Sequence, residues 1–151
     1  MPDPIQLFRP VVCEEAISAV SEVMRSGWIG LGPVTDRFEQ AFATYVGARH
    51  AVALNSATSA LHLALLAVGV GSGDEVISTS LTFVSTNHAI RYCGADPVFA
   101  DVDPRTMNLD LAEVERLIGP RTKAVVAVHY GGNPLDLDAL YALAKRRNIA
   151  V

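Results

Sequence analysis

Residues 50–68, HAVALNSATSALHLALLAV, decide how this chain folds. The apolar run Ala51–Leu54 has the length of a short strand, and it breaks into Asn55-Ser56-Ala57-Thr58-Ser59. An uninterrupted apolar helix pattern follows, to Val68. Small and hydroxylated residues therefore sit at a strand-to-helix turn, where the first backbone N–H groups of a helix have no partner. With the positive end of the helix dipole behind them, such residues suit a phosphate. The same residues also suit a plain N-cap. Taken alone, this stretch leaves both readings open.

The surrounding chain narrows the choice of class. It has 151 residues, 50% of them apolar, and a formal net charge of −4, as an ordinary globular domain or part of a larger one does. No Lys/Arg-rich stripe marks a nucleic-acid face. No apolar run approaches the roughly 20 residues that span a bilayer, and MPDPIQLFRP lacks the pattern of a signal peptide. Cys13 and Cys93 stand far apart, without metal-ligand spacing, and read as reduced thiols of a cytoplasmic protein. No metal site is expected. The 12 basic residues include only two lysines, Lys123 and Lys145, so a lysine nucleophile must be one of these or lie outside the chain.

On the N-terminal side, residues to Pro10 read as an extended arm, and a helix pattern runs from about Cys13 to Met24. Trp28-Ile29-Gly30-Leu31-Gly32-Pro33 cannot be a regular element, and its tryptophan is either a core plug or part of a binding surface. Thr35–Val46 is a second amphipathic helix presenting Phe38, Phe42 and Tyr45. Residues 1–34 are read as arm, helix and loop, and 35–151 as the main domain.

On the C-terminal side the alternation is regular. Gly69–Asp74 is dense in glycine, but it follows a helix and precedes a strand. That order is the reverse of a dinucleotide fingerprint, so it reads as a connection. Strands are expected at Glu75–Ser78, Pro97–Val102 and Lys123–His129, with helices at about Val84–Tyr92, Asp110–Ile118 and Leu137–Arg147. Asp110 and Glu113 have the spacing of a capping box. Asp101 and Asp103 end a strand and read as turn chemistry. Ile149–Val151 opens a further strand, so the chain reads as the first part of something longer. The pattern predicts an α/β three-layer sandwich around a mostly parallel sheet, with ligands at the carboxyl ends of the strands.

Five stretches in register carry a resemblance. They are SGWIGLGPVTDRFEQAF (Ser26–Phe42), HAVALNSATSALHLAL (His50–Leu65), GDEVISTSLTFVST (Gly73–Thr86), GADPVFADVDPRTMNLD (Gly94–Asp110) and TKAVVAVHYGGNPLDLDAL (Thr122–Leu140). Together they resemble the DegT/DnrJ/EryC1/StrS sugar-nucleotide aminotransferases. SAT at the turn and RSGW near the start are most similar to the branch of UDP-4-amino-4-deoxy-L-arabinose–oxoglutarate aminotransferases. The resemblance implies the large domain of the aspartate-aminotransferase fold (pyridoxal-phosphate fold type I), present here in part. It implies pyridoxal 5'-phosphate as cofactor, L-glutamate and 2-oxoglutarate as donor pair, a nucleotide-linked keto sugar as acceptor, a role in lipopolysaccharide or other amino-sugar biosynthesis, and a homodimer.

By the same resemblance, Ser56, Ala57 and Thr58 hold the cofactor phosphate, and Phe83 stacks on its ring; from its own residues Phe83 could equally be a core aromatic. Trp28, Ile29 and Gly30 match a loop at the substrate mouth. His129 matches a strand end near the cofactor, without a catalytic role. The Schiff-base lysine and the aspartate that pairs with the pyridine nitrogen belong to later segments of the family, so no catalytic residue is expected in this chain and it is expected to be inactive alone. Two other readings stand beside this one. One is a non-catalytic phosphate-binding or partner-complemented module; the other is a sugar dehydratase of the same family.

Overall fold

The computed structural model describes residues 9–151. Most of the expected N-terminal arm thus lies outside the described residues. The chain divides into two compact units, Met1–Ala53 and Leu54–Val151.

The first unit carries α1 (Glu14–Ser26) and α2 (Pro33–Val46). Glu14 and Glu15 occupy the first turn of α1 and Arg25 its last, the arrangement the helix dipole favours. α1 ends at Gly27, whose φ of +74° is open to glycine at little cost. Pro33 opens α2, where its missing N–H loses nothing. Ala53 N–H donates to Glu39 Oε1 at 2.7 Å, tying the segment after α2 back to that helix. The apolar stripe of α1 (Ile17, Val20, Met24) and the aromatics of α2 remain exposed, and Ala43 is the buried residue of either helix.

The second unit runs α3 (Ala57–Ala67), β1 (Glu75–Ser78), α4 (Ser85–Tyr92), β2 (Asp96–Phe99), α5 (Leu111–Leu117), β3 (Thr122–Val125), a 3-10 turn at Tyr130–Gly132, and α6 (Leu137–Arg147). The three strands are parallel in the order β2-β1-β3, with Ile77 opposite Val98 on one side and Val125 on the other. Alternation along the strands fills both faces. Val76 and Ala124 pack with Leu65, Ala89 and Ile90 under α3 and α4. Ile77 and Val125 pack with Val114, Leu140 and Leu143 under α5 and α6. That is the three-layer arrangement expected, in partial form.

Four local expectations change, and the first is the second strand, which runs Asp96–Phe99 rather than Pro97–Val102; Val102 turns to an antiparallel bridge with Leu109 instead. Ala51–Leu54 forms no strand: it makes no ladder hydrogen bonds, and the Ala53 N–H goes to the Glu39 carboxylate instead. The third strand ends at Val125 rather than His129, since β1 beside it ends at Ser78; only Val126 N–H still reaches Ile77 O, at 2.9 Å. The capping box is half made. Asp110 accepts from Ala112 N–H at 2.8 Å, while Glu113 turns to Arg116. Beyond β3, Ala150 makes a parallel bridge to Ala124, in line with the further strand expected there. Gly69–Asp74 is a connection, closed by Gly71 N–H on Asp74 Oδ2 at 2.9 Å.

Candidate functional site

Each helix of the second unit returns the chain from the carboxyl edge of the sheet to its amino edge. Four segments consequently reach the carboxyl edge: the start of α3 and the residues after β1, β2 and β3, with the candidate residues on the first, second and fourth.

At the start of α3, Ser56 is the N-cap. Its Oγ accepts from Ser59 N–H at 3.1 Å, and Ser59 Oγ donates to Asn55 Oδ1 at 2.8 Å. The cap uses the Ser56 hydroxyl and leaves the next two residues free. The N–H groups of Ala57 and Thr58 and the Thr58 hydroxyl have no hydrogen-bond partner among the described residues. The two readings of this turn thus divide between residues: Ser56 caps, and Ala57 and Thr58 form an open cradle. Two amides and a hydroxyl at the positive end of an 11-residue helix fit a phosphate.

After β1, Leu81 N–H donates to Thr79 Oγ1 at 3.1 Å and Asn87 Nδ2 donates to Thr79 O at 3.0 Å. Phe83 O accepts Thr86 N–H at 3.0 Å, in the first turn of α4. These bonds fix the backbone and turn the Phe83 ring outward. Phe83 is 77% exposed, so it is not a core aromatic. A flat apolar face held on an ordered turn fits a conjugated ring.

After β3, His129 Nδ1 accepts Leu135 N–H at 3.0 Å. Asn108, buried at 3% exposure, closes the same loop: its Oδ1 accepts Tyr130 N–H at 2.9 Å and its Nδ2 donates to Asn133 O at 3.0 Å. In sequence Asn108 is one more polar residue of a turn, and nothing there marks its hold on this loop. Beside this loop an apolar trough of about 300 Å³ is lined by Leu61 and Ala64 of α3, Val126, Ala127 and His129, and Leu137 and Tyr141 of α6.

The first unit holds the other residues of interest. Trp28 is 63% exposed, which removes the core-plug reading. Its Nε1–H donates to Leu31 O at 2.7 Å, folding the indole over Gly32. Ile29 is 80% exposed, and with Gly30 it lines a separate cavity of about 510 Å³.

Neither lysine is at the carboxyl edge. Lys123 is in the opening pair of β3, and its Nζ would lie 3.9 Å from a Cβ built on Gly69, at the amino edge. Lys145 is in the last turn of α6. Asp103, Asp110 and Asp136 line a smaller trough, but each is engaged: Asp103 by Arg105, the other two as helix caps. Among the described residues no group of three or more His, Cys, Asp or Glu could hold a metal ion. None of their helices is long and apolar enough to cross a membrane. Cys13 and Cys93 are free, and burial pushes the Cys93 thiol up.

Residues 10–151 match the model of the DegT/DnrJ/EryC1/StrS aminotransferase family. The chain is 51% identical over 142 residues to the spore coat polysaccharide biosynthesis protein SpsC of Bacillus subtilis (strain 168), covering 94% of this chain and 36% of that protein. It is 50% identical over 147 residues to the UDP-4-amino-4-deoxy-L-arabinose–oxoglutarate aminotransferase of Shewanella sediminis (strain HAW-EB3), covering 97% and 38%. It superposes with a TM-score of 0.88, at 35% identity, on the PLP form of the sugar aminotransferase Spr1654 of Streptococcus pneumoniae, covering 97% of this chain and 38% of that one. The chain thus spans little more than a third of the length of the curated relatives it matches.

Proposed function

Because the chain belongs to the DegT/DnrJ/EryC1/StrS aminotransferase family, we propose that it is the N-terminal part of a pyridoxal-phosphate aminotransferase. The complete enzyme moves an amino group from L-glutamate to a keto sugar carried on a nucleotide. Pyridoxal phosphate is the cofactor of this family, and when bound it supplies a conjugated ring that takes up the electron pair released at the donor carbon. The observation that carries the reading is the free pair of amides at Ala57 and Thr58, with the Thr58 hydroxyl beside them.

In this reading the residues divide the work. Ala57 and Thr58 grip the anionic tail, and the Ser56 cap keeps their N–H groups aimed outward. Phe83 covers one face of the ring. Trp28, Ile29 and Gly30 meet the acceptor, and their exposure leaves them available for it. The sugar acceptor is supported by the names of the relatives: one acts on an amino-arabinose nucleotide and another serves polysaccharide synthesis. Placement in surface-polysaccharide synthesis, the cytoplasm and a homodimer completes the proposal.

A second reading is favoured by the lysines. With both at or near the amino edge, the chain by itself holds a phosphate ligand without forming a covalent bond to it or moving protons there. The two readings agree on binding and differ on turnover. Pyridoxamine 5'-phosphate tests the shared part, since it has no aldehyde to react with Lys123 or Lys145. Titrated into the 15N-labelled chain, it shifts the amides of Ala57 and Thr58, and Thr58→Ala weakens its binding about tenfold, the worth of one charge-assisted hydrogen bond. Equal affinity for both proteins removes Thr58 from the site. Borohydride treatment with pyridoxal phosphate leaves Lys123 and Lys145 without stoichiometric labelling; labelling with turnover overturns the inactive-alone reading.

A further inference from the structure

His129 stands in the loop beyond the end of β3, with its ring held from one side. Leu135 N–H donates to Nδ1 at 3.0 Å. A ring nitrogen that accepts a hydrogen bond carries no proton, so the ring's proton is on Nε2, across the ring from the loop. Taking up a second proton at Nδ1 would set two donors against each other and release Leu135.

The hold on that ring is itself braced. Gly132 N–H donates to His129 O at 3.0 Å, and the buried Asn108 ties Tyr130 N–H and Asn133 O together. Nε2 has no hydrogen-bond partner among the described residues. His129 and Tyr141 are the polar side chains lining the apolar trough beside β3. Leu61 lines the same trough and lies one helical turn after Thr58, so the imidazole and the phosphate cradle share the carboxyl edge.

We infer that His129 is a hydrogen-bond donor of fixed tautomer, whose Nε2–H holds an acceptor oxygen of the ligand bound at this edge. The inference rests on the reading that a pyridoxal-type phosphate binds there, and it adds a role: a neutral donor that orients the ligand and moves no proton.

Two substitutions separate the halves of the ring. His129→Asn keeps an acceptor near Nδ1 and removes the Nε2 donor. His129→Gln keeps an N–H near Nε2 and removes the acceptor for Leu135. The 15N-labelled 151-residue chain and both variants are titrated with pyridoxamine 5'-phosphate, and exchange of the Leu135 amide is followed without ligand. Leu135 exchange stays slow in His129→Asn and speeds up about tenfold in His129→Gln. Affinity falls about tenfold in His129→Asn and stays near that of the unsubstituted chain in His129→Gln. Unchanged affinity in His129→Asn, with Thr58→Ala weakened, overturns the donor and leaves the cofactor reading standing. Equal weakening in both His129 variants also overturns it, because loop order rather than the N–H is then what counts. Unchanged Leu135 exchange in His129→Gln overturns the clamp, and no saturable response in any protein overturns the cofactor reading and this inference together.

Discussion

Asp103 and Arg105 show how much one turn can do. Arg105 gives Asp103 Oδ1 its backbone N–H at 2.7 Å and its Nε at 3.3 Å, and gives Oδ2 its Nη2 at 2.9 Å. Those side-chain and backbone bonds from Arg105 hold the Asp103 carboxyl down at about 2, against an ordinary 3.8. Because the folded value is the lower one, the stabilisation is present above the ordinary value and is lost as pH falls through about 2. Carboxyl-carbon NMR titration should find Asp103 still ionised where free aspartate is half protonated, and Arg105→Gln should return it toward 3.8. An unchanged titration in Arg105→Gln would assign the shift elsewhere. Gly32 is held by a different residue-scale constraint. A Cβ there would lie 2.3 Å from Trp28 Nε1, so Gly32→Ala must unseat the indole and break its bond to Leu31, worth about 1 kcal/mol. Trp28 is the only tryptophan in the sequence, and its fluorescence should shift to the red. An unmoved spectrum would show that the loop gives way instead.

Among the elements, what was legible in the sequence was what neighbours decide. β1 falls on Glu75–Ser78 as expected, and α6 on Leu137–Arg147, because a short β-branched run and a helix with cationic residues in its last turn are local patterns. Ala51–Leu54 looks like a strand by the same measure and is not one, since pairing needs a partner that no local pattern supplies. The site divides in the same way. The helix start capped by Ser56, with the Ala57 and Thr58 amides left open, follows from the turn, whereas Asn108 acts on residues 22 and 25 positions away, a distance over which the sequence gives no periodicity. The helix starts are testable at this scale. Asp136 Oδ1 accepts Ala139 N–H at 3.0 Å, so Asp136→Ala should cost about 1 kcal/mol in urea unfolding. Asp136→Asn should recover most of it, because the cap needs an oxygen more than a charge; no difference between the two variants would mean the bond is not carrying the helix start.

Across the whole chain, the two units are built on very different amounts of buried surface. The second unit seats Val76, Ile77, Ile90, Val114, Val125 and Leu140 at 1% exposure or less, with β1 between two strands and covered on both faces. In the first unit the helices bury Ala43 and leave Val20, Met24, Phe38 and Phe42 at least half exposed. Local opening is resisted by the apolar surface it uncovers, so the two units should not share one opening free energy. Hydrogen exchange of the 151-residue chain should therefore find the amides of β1 slowest and those of α1 about a hundredfold faster or more, near 3 kcal/mol apart. The helical bonds of α1 are present in both regimes, so the contrast reports burial rather than hydrogen bonding. Protection of α1 equal to that of β1 would mean that its apolar stripe of Ile17, Val20 and Met24 is covered in solution.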